Sequence, residues 1–179
     1  YDLVTRNSLK DVTLFPFALG NMTTVVPLEL FNMDLADSSA SIVPGFRSRP
    51  LRKIYVPVVD GKEAAGLIET QPSVLKIDVE GGELEVIAGL QALIETAKPF
   101  ILCEVLPAYN RDNAFRYDRQ DKLEKMLSSF GYAIFRIEAN GKLKMLDVIG
   151  LNADIEAVNY LFTHKTNIET LSQVFEVYE

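Results

Sequence analysis

Two apolar runs constrain this chain more than any other feature: Val74-Leu-Lys-Ile-Asp-Val-Glu80 and Phe100-Ile-Leu-Cys-Glu-Val-Leu106. Gly81-Gly82 breaks the first run. The segment from Glu83 then carries Val86, Leu90, Leu93 and Ala97, joined by Ile87 and Ile94, on one helical face. Lys98-Pro99 ends that helix, because a residue before proline is driven out of the helical region. A strand–helix–strand unit whose strands are apolar on both sides implies a parallel sheet covered on two faces. The expected class is therefore α/β, with a mostly parallel open sheet. Such sheets bind ligands beyond the carboxyl ends of their strands, which directs attention to the charged residues there.

The flanking sequence extends this pattern. Val12 to Ala18 reads as a short strand closed by the Leu19-Gly20-Asn21 turn, and Thr23 to Phe31 as a second strand weakened by Pro27. Asn32 to Pro50, rich in serine with Asp34, Asp37, Pro44 and Gly45, reads as a long surface loop. Ile54 to Val59 is a β-branched strand whose Pro57 suggests an edge or a bulge. After the second apolar run come a polar and aromatic loop, Pro107 to Tyr117, and a helix carrying Leu123, Met126, Leu127 and Phe130. Gly131 stands where a C′ glycine belongs. Asn140-Gly141, between Ile134–Glu138 and Lys142–Leu146, signals a hairpin and hence an antiparallel C-terminal edge. Tyr160 to Thr163 adds a last strand.

Composition narrows the function. The 179 residues fit one domain, residues 1–179, with a sizeable core. A net charge of −7 argues against a nucleic-acid partner, which needs a basic face, and against a polybasic membrane anchor. No apolar stretch is long enough to span a bilayer and no signal peptide is visible. Cys103, the single cysteine, reads as a buried thiol in a reducing compartment, which points to the cytoplasm. The opening at Tyr1, without an initiator methionine, gives the expectation that upstream sequence is absent.

Lys76, Asp78 and Glu80 alternate along the first run and share one strand face. Two readings are open. Lys76 can pair with a strand-end carboxylate as a purely structural link, with Glu83 merely favouring the start of the next helix. Alternatively, Asp78 and Glu80 stand at the crevice and bind or deprotonate an acceptor hydroxyl. Glu104 favours the second, because it lies as far along its strand as Asp78 does along the first. Adjacent strands in that register would let the two carboxylates share a proton, a divalent cation or a substrate hydroxyl.

The block Leu75-Lys-Ile-Asp-Val-Glu-Gly-Gly-Glu-Leu-Glu-Val-Ile-Ala-Gly-Leu90, followed by Lys98-Pro-Phe-Ile-Leu-Cys-Glu-Val105, resembles the signature of FkbM-type methyltransferases. Val12-Thr-Leu-Phe-Pro-Phe-Ala-Leu-Gly20, Ser38-Ser39 and Val56-Pro57-Val58 resemble earlier segments of that family, so the likeness spans residues 1 to about 110. It implies a Rossmann-like class I methyltransferase sheet. The implied donor is S-adenosylmethionine, and the acceptor a hydroxyl on a sugar, glycolipid or secondary metabolite. Phe17, Ala18 and Leu19 would line the adenine pocket. Asp78, first as base or metal ligand, and Glu80 would lie near the transferred methyl.

The chain departs from that pattern in one respect. No Gly-x-Gly loop precedes residue 74, and the acidic residue that grips the donor ribose is missing. The family's first strands, which would lie between the strand ending at Ala18 and the one ending at Glu80, are thus expected to be absent, leaving an apolar edge. The chain alone is expected neither to bind donor nor to turn over.

Other residues carry weaker signals. Tyr109, Arg111, Arg116 and Tyr117 can grip a sugar or carboxylate acceptor, or form a solvated loop. Asp118, Arg119, Asp121, Lys122, Glu124 and Lys125 read as a solvated helix face, and His164 as structural. No Cys/His cluster suggests zinc. Two further functions stay open: a metal-dependent α/β transferase acting on nucleotide-sugars, and a non-catalytic interaction remnant. Acceptor, metal dependence and oligomeric state are not legible.

Overall fold

The computed structural model describes residues 2–33, 37–110, 112–154 and 156–178. A short helix, α1 (Asp2–Arg6), leads into a three-stranded sheet of β1 (Ala18–Gly20), β2 (Thr24–Leu30) and β3 (Arg52–Asp60) in the order β1-β3-β2. The expected strand over 12–18 contracts to β1, because only Ala18 to Gly20 find partners, at Val58 to Asp60. β3 is the central strand of this sheet, not an edge. Its Pro57 is tolerated because it faces Val25 of β2 and lies just before the stretch that β1 covers.

The segment between β2 and β3 is no mere surface loop. Ser41 exchanges backbone hydrogen bonds with Glu29, and Val43 and Phe46 are buried. Asp37 ties its start together by accepting the Phe31, Asn32 and Ser39 amides and the Ser39 hydroxyl. These bonds hold its carboxyl well below the usual range, the Ser39 hydroxyl most of all. Asp34 lies outside the described residues.

After α2 (Gly61–Ala65) the second sheet begins with β4 (Val74–Ile77), shorter than the expected 74–80. The helical face predicted from Glu83 divides into α3 (Glu83–Gly89) and α4 (Gln91–Ala97) at Leu90. Just before the break lies a close approach. A side chain on Gly89 would place its Cβ 2.0 Å from the Gly20 carbonyl oxygen and 3.0 Å from the Gly61 nitrogen. Only glycine lets α3 meet the ends of β1 and β3 there. Lys98, left-handed at φ 49°, ends α4, its amide bonded to the Ile94 carbonyl, and Pro99 after it cannot continue the helix.

β5 (Phe100–Glu104), α5 (Ala114–Ser129), β6 (Tyr132–Ile137), β7 (Leu143–Leu146), β8 (Asn159–His164), α6 (Ile168–Val174) and β9 (Val177–Tyr178) complete the chain. The sheet order is β4-β5-β8-β6-β7-β9. The expectation of a mostly parallel sheet is corrected here. β4–β5 and β7–β9 are parallel, whereas β5–β8, β8–β6 and β6–β7 are antiparallel. Connection length explains the difference. α5 is a full crossover, so β6 runs the same way as β5, but the Asn140-Gly141 turn is too short for one and must reverse the chain. Gly141 takes the φ of +80° this turn needs. The strand expected last, 160–163, instead becomes β8 at the sheet centre.

The core sits between this sheet and α3, α4 and α5. Ile87, Ile94, Ile101, Cys103 and Phe162 are fully buried, and each large aliphatic among them stabilises the fold by roughly 1.5–3 kcal/mol. β4 is an edge strand, with Val74 exposed. Its flank is partly screened by Leu19, which packs on the core from β1.

Candidate active site

Parallel pairing of β4 with β5 sets Ile77 opposite Cys103, so the next residues, Asp78 and Glu104, emerge side by side from the two strand ends. This is the register anticipated from sequence. The carboxyl groups lie within hydrogen-bonding reach, and Glu104 has its pKa raised, first by burial and then by the Asp78 and Glu80 charges. Asp78 stays open to solvent, its side chain 42% exposed, and pairs with Lys76 at 2.5 Å. The structural link to Lys76 is thus present, and the Asp78 carboxylate is also left open to solvent. That ion pair, with the Glu104 charge beyond it, raises the Lys76 pKa.

Glu80 is placed differently from its expected position on the same strand face. β4 has ended, and Glu80 takes a left-handed conformation at φ 52°. Its carboxylate turns to Arg47 at 2.6 Å, and its carbonyl accepts the Ser41 hydroxyl. Glu80 stays near enough to raise the Glu104 pKa. Gly81, at φ +100°, lies so close to the Phe46 ring that a Cβ there would approach it to 2.5 Å.

Two open spaces lie among the neighbouring residues, each lined in part by the segment between β2 and β3, and neither lining includes Asp78, Glu80 or Glu104. A crevice of about 340 Å³ is lined by Phe17, Ala18 and Leu19 on one side and Lys76, Ile77 and Val86 on the other. The three residues assigned to adenine are thus brought against β4. A second cleft, of about 470 Å³, lies on the Arg47 side and includes Tyr109 and Arg116. Arg116 belongs to α5, which starts at Ala114 and shortens the expected loop. Arg111 lies outside the described residues. Tyr117 does not line the cleft.

Sequence reasoning missed four participants. Arg47 and Phe46 sat in a segment read as surface. Glu83, assigned only to the helix start, is buried and accepts the Gly81 amide. Burial pushes its pKa up to about 7. Arg119, assigned to a solvated face, turns inward instead: it pairs with Glu85 and donates to the Gly81 carbonyl. Its signal was available, since Glu85 and the Gly81-Gly82 turn offer a cation both a charge and open carbonyls. The remaining pairs on α5, Asp118–Lys122 and Asp121–Lys125, are the solvated links expected. His164 caps the following turn by accepting the Thr166 amide, a structural role. Among the described residues no three His, Cys, Asp or Glu side chains are arranged to hold a metal ion, and no helix is long and apolar enough to cross a membrane.

The model of the methyltransferase FkbM domain family matches residues 5–134. No curated protein matches the sequence significantly. Among solved structures, the chain is similar to the methyltransferase FkbM of Methylobacillus flagellatus KT, at 16% identity and a TM-score of 0.48, over 91% of this chain and 32% of that one. The chain thus spans about a third of that protein's length.

Proposed function

The chain belongs to the FkbM methyltransferase domain family, and from that premise we propose that it is part of an S-adenosylmethionine-dependent O-methyltransferase acting on a hydroxyl of a sugar, glycolipid or secondary metabolite. Residues 1–179 lie within one Rossmann-like catalytic domain. The observation that carries this reading is the emergence of Asp78 and Glu104 side by side from the ends of β4 and β5, with Asp78 open to solvent.

The crevice beside β4 suits one end of the donor. Phe17, Leu19, Ile77 and Val86 offer the apolar walls an adenine needs. Ribose hydroxyls call for a carboxylate and the methionine end for a nest of backbone amides. The lining offers neither, its one charged side chain being Lys76. This span alone therefore does not hold the donor. When bound, the donor supplies an electrophilic sulfonium methyl.

The chain's own residues act on the acceptor. Asp78, exposed and balanced by Lys76, accepts the hydroxyl proton as the oxygen attacks. Glu104, its pKa raised, holds a proton between the two carboxyls and orients the hydroxyl. Glu80 completes the row from the Arg47 side. A reducing compartment such as the cytoplasm suits the buried free thiol of Cys103.

The test is transfer of a labelled methyl group by the complete protein to a panel of hydroxylated acceptors. Incorporation that Asp78→Asn abolishes while donor binding persists is the expected result. Transfer unaffected by Asp78→Asn would overturn the assignment.

A further inference from the structure

Resting on the reading of the carboxylate row as the acceptor's reacting end, we propose that the cleft holding Arg47 and Arg116 binds an anionic substituent, a carboxylate or phosphate, of a hydroxylated ring acceptor. The cleft lining carries two arginines and no acidic side chain, in a chain whose net charge is −7. The structural contacts of these two arginines leave donor capacity unused. Arg116 donates one hydrogen bond, to the Phe46 carbonyl at 3.1 Å, and lies over the Phe46 ring at 4.6 Å. It pairs with no carboxylate among the described residues. A guanidinium has five donors in a planar fork that matches an oxyanion two at a time. Arg47 spends one nitrogen on Glu80, while its buried Nε has no partner.

The walls fit the rest of such a ligand. Phe31, Tyr109 and Phe115 line the same cleft, and aromatic faces favour the C–H surface of a sugar-like ring. The Arg47–Glu80 bridge joins the cleft to the acid row. A ring whose anion sits on Arg116 therefore directs its hydroxyls towards Glu80 and, beyond it, Glu104 and Asp78. An anion reaching Arg47 also competes with Glu80 for the guanidinium and frees that carboxylate for a hydroxyl.

Binding without donor tests this, using calorimetry or ligand-observed NMR on the chain with glucose, glucuronate and glucose 6-phosphate as probes. At low ionic strength, one or both anionic sugars are expected to bind at least tenfold more tightly than glucose. Which of the two gains more identifies the oxyanion. Arg116→Gln, which removes the guanidinium and keeps a polar side chain, is expected to erase that preference, and Lys122→Gln on the exposed helix face to leave it intact. Equal affinities, no binding of either anion, or a preference that survives Arg116→Gln in a variant with unchanged Tm would each overturn the proposal. Asp78-dependent methylation of a neutral acceptor with no anion preference would sink this proposal and leave the function standing. Arg116-dependent anion binding with no methyl transfer to any acceptor would do the reverse.

Discussion

Asp78 and Glu104 stand side by side at the ends of β4 and β5, one exposed and ion-paired to Lys76, the other half-buried with its pKa raised. Like charges so close resist joint ionisation, and the pair is suited to hold one proton between two oxygens. Removing the Asp78 charge takes away one cause of the rise. Asp78→Asn is therefore expected to move the Glu104 pKa down towards its ordinary value, the contribution from burial remaining. Carbon-detected NMR titration of the Glu104 carboxyl reads this, and an unchanged midpoint would show that the two groups are uncoupled.

In the complete enzyme, Asp78→Asn and Glu104→Gln are each expected to lower kcat, the former by about 10²–10⁴-fold, the usual contribution of a positioned base. Donor affinity is expected to hold, since neither side chain lines the crevice beside β4 that is proposed for the donor. A rise in donor Kd matching the loss in rate would assign these residues to binding instead.

Glu83 makes stability depend on pH. Its folded pKa of about 7 exceeds the ordinary 4.5, so the folded state holds the proton more tightly than the unfolded one. Stability from this group is complete below pH 4.5 and is lost as pH rises through 7, a change on the order of 2–3 kcal/mol. Glu83→Gln keeps an oxygen for the Gly81 amide and cannot ionise. It is expected to be the more stable protein at pH 8 and to flatten the profile between pH 5 and 8. Denaturant midpoints at both pH values decide this.

Gly89→Ala pushes a methyl into the Gly20 carbonyl, where backbone cannot give way. A loss of about 3 kcal/mol or more is expected, at the upper end for overpacking. Ile101→Ala, at a fully buried site between β4 and β8, is expected to cost about 2–5 kcal/mol through a cavity. Equal, small effects in chemical denaturation would show that neither site is tightly packed.

Residues 1–179 alone are expected not to bind S-adenosylmethionine, because the crevice lining supplies no group for ribose or methionine. A calorimetric titration yielding a micromolar Kd would contradict this.

The sequence by itself determined what local pattern can encode. The apolar runs fixed β4 and β5, the 3.6-residue spacing fixed the face of α3, α4 and α5, and equal placement along two strands put Asp78 beside Glu104. The elements follow from backbone periodicity, which needs no partner; the meeting of Asp78 and Glu104 needed in addition that β4 and β5 pair in that register. Tertiary structure decided the rest. Only the approach of Gly20 and Gly61 required a glycine at position 89, and only the left-handed turn at Glu80 carried that carboxylate to Arg47. Whether a segment such as 37–51 is surface or wall depends on what lies against it. Strand direction around β8 depended on which connections were long enough to cross the sheet. Position relative to distant chain is a long-range property, and no run of neighbouring residues contains it.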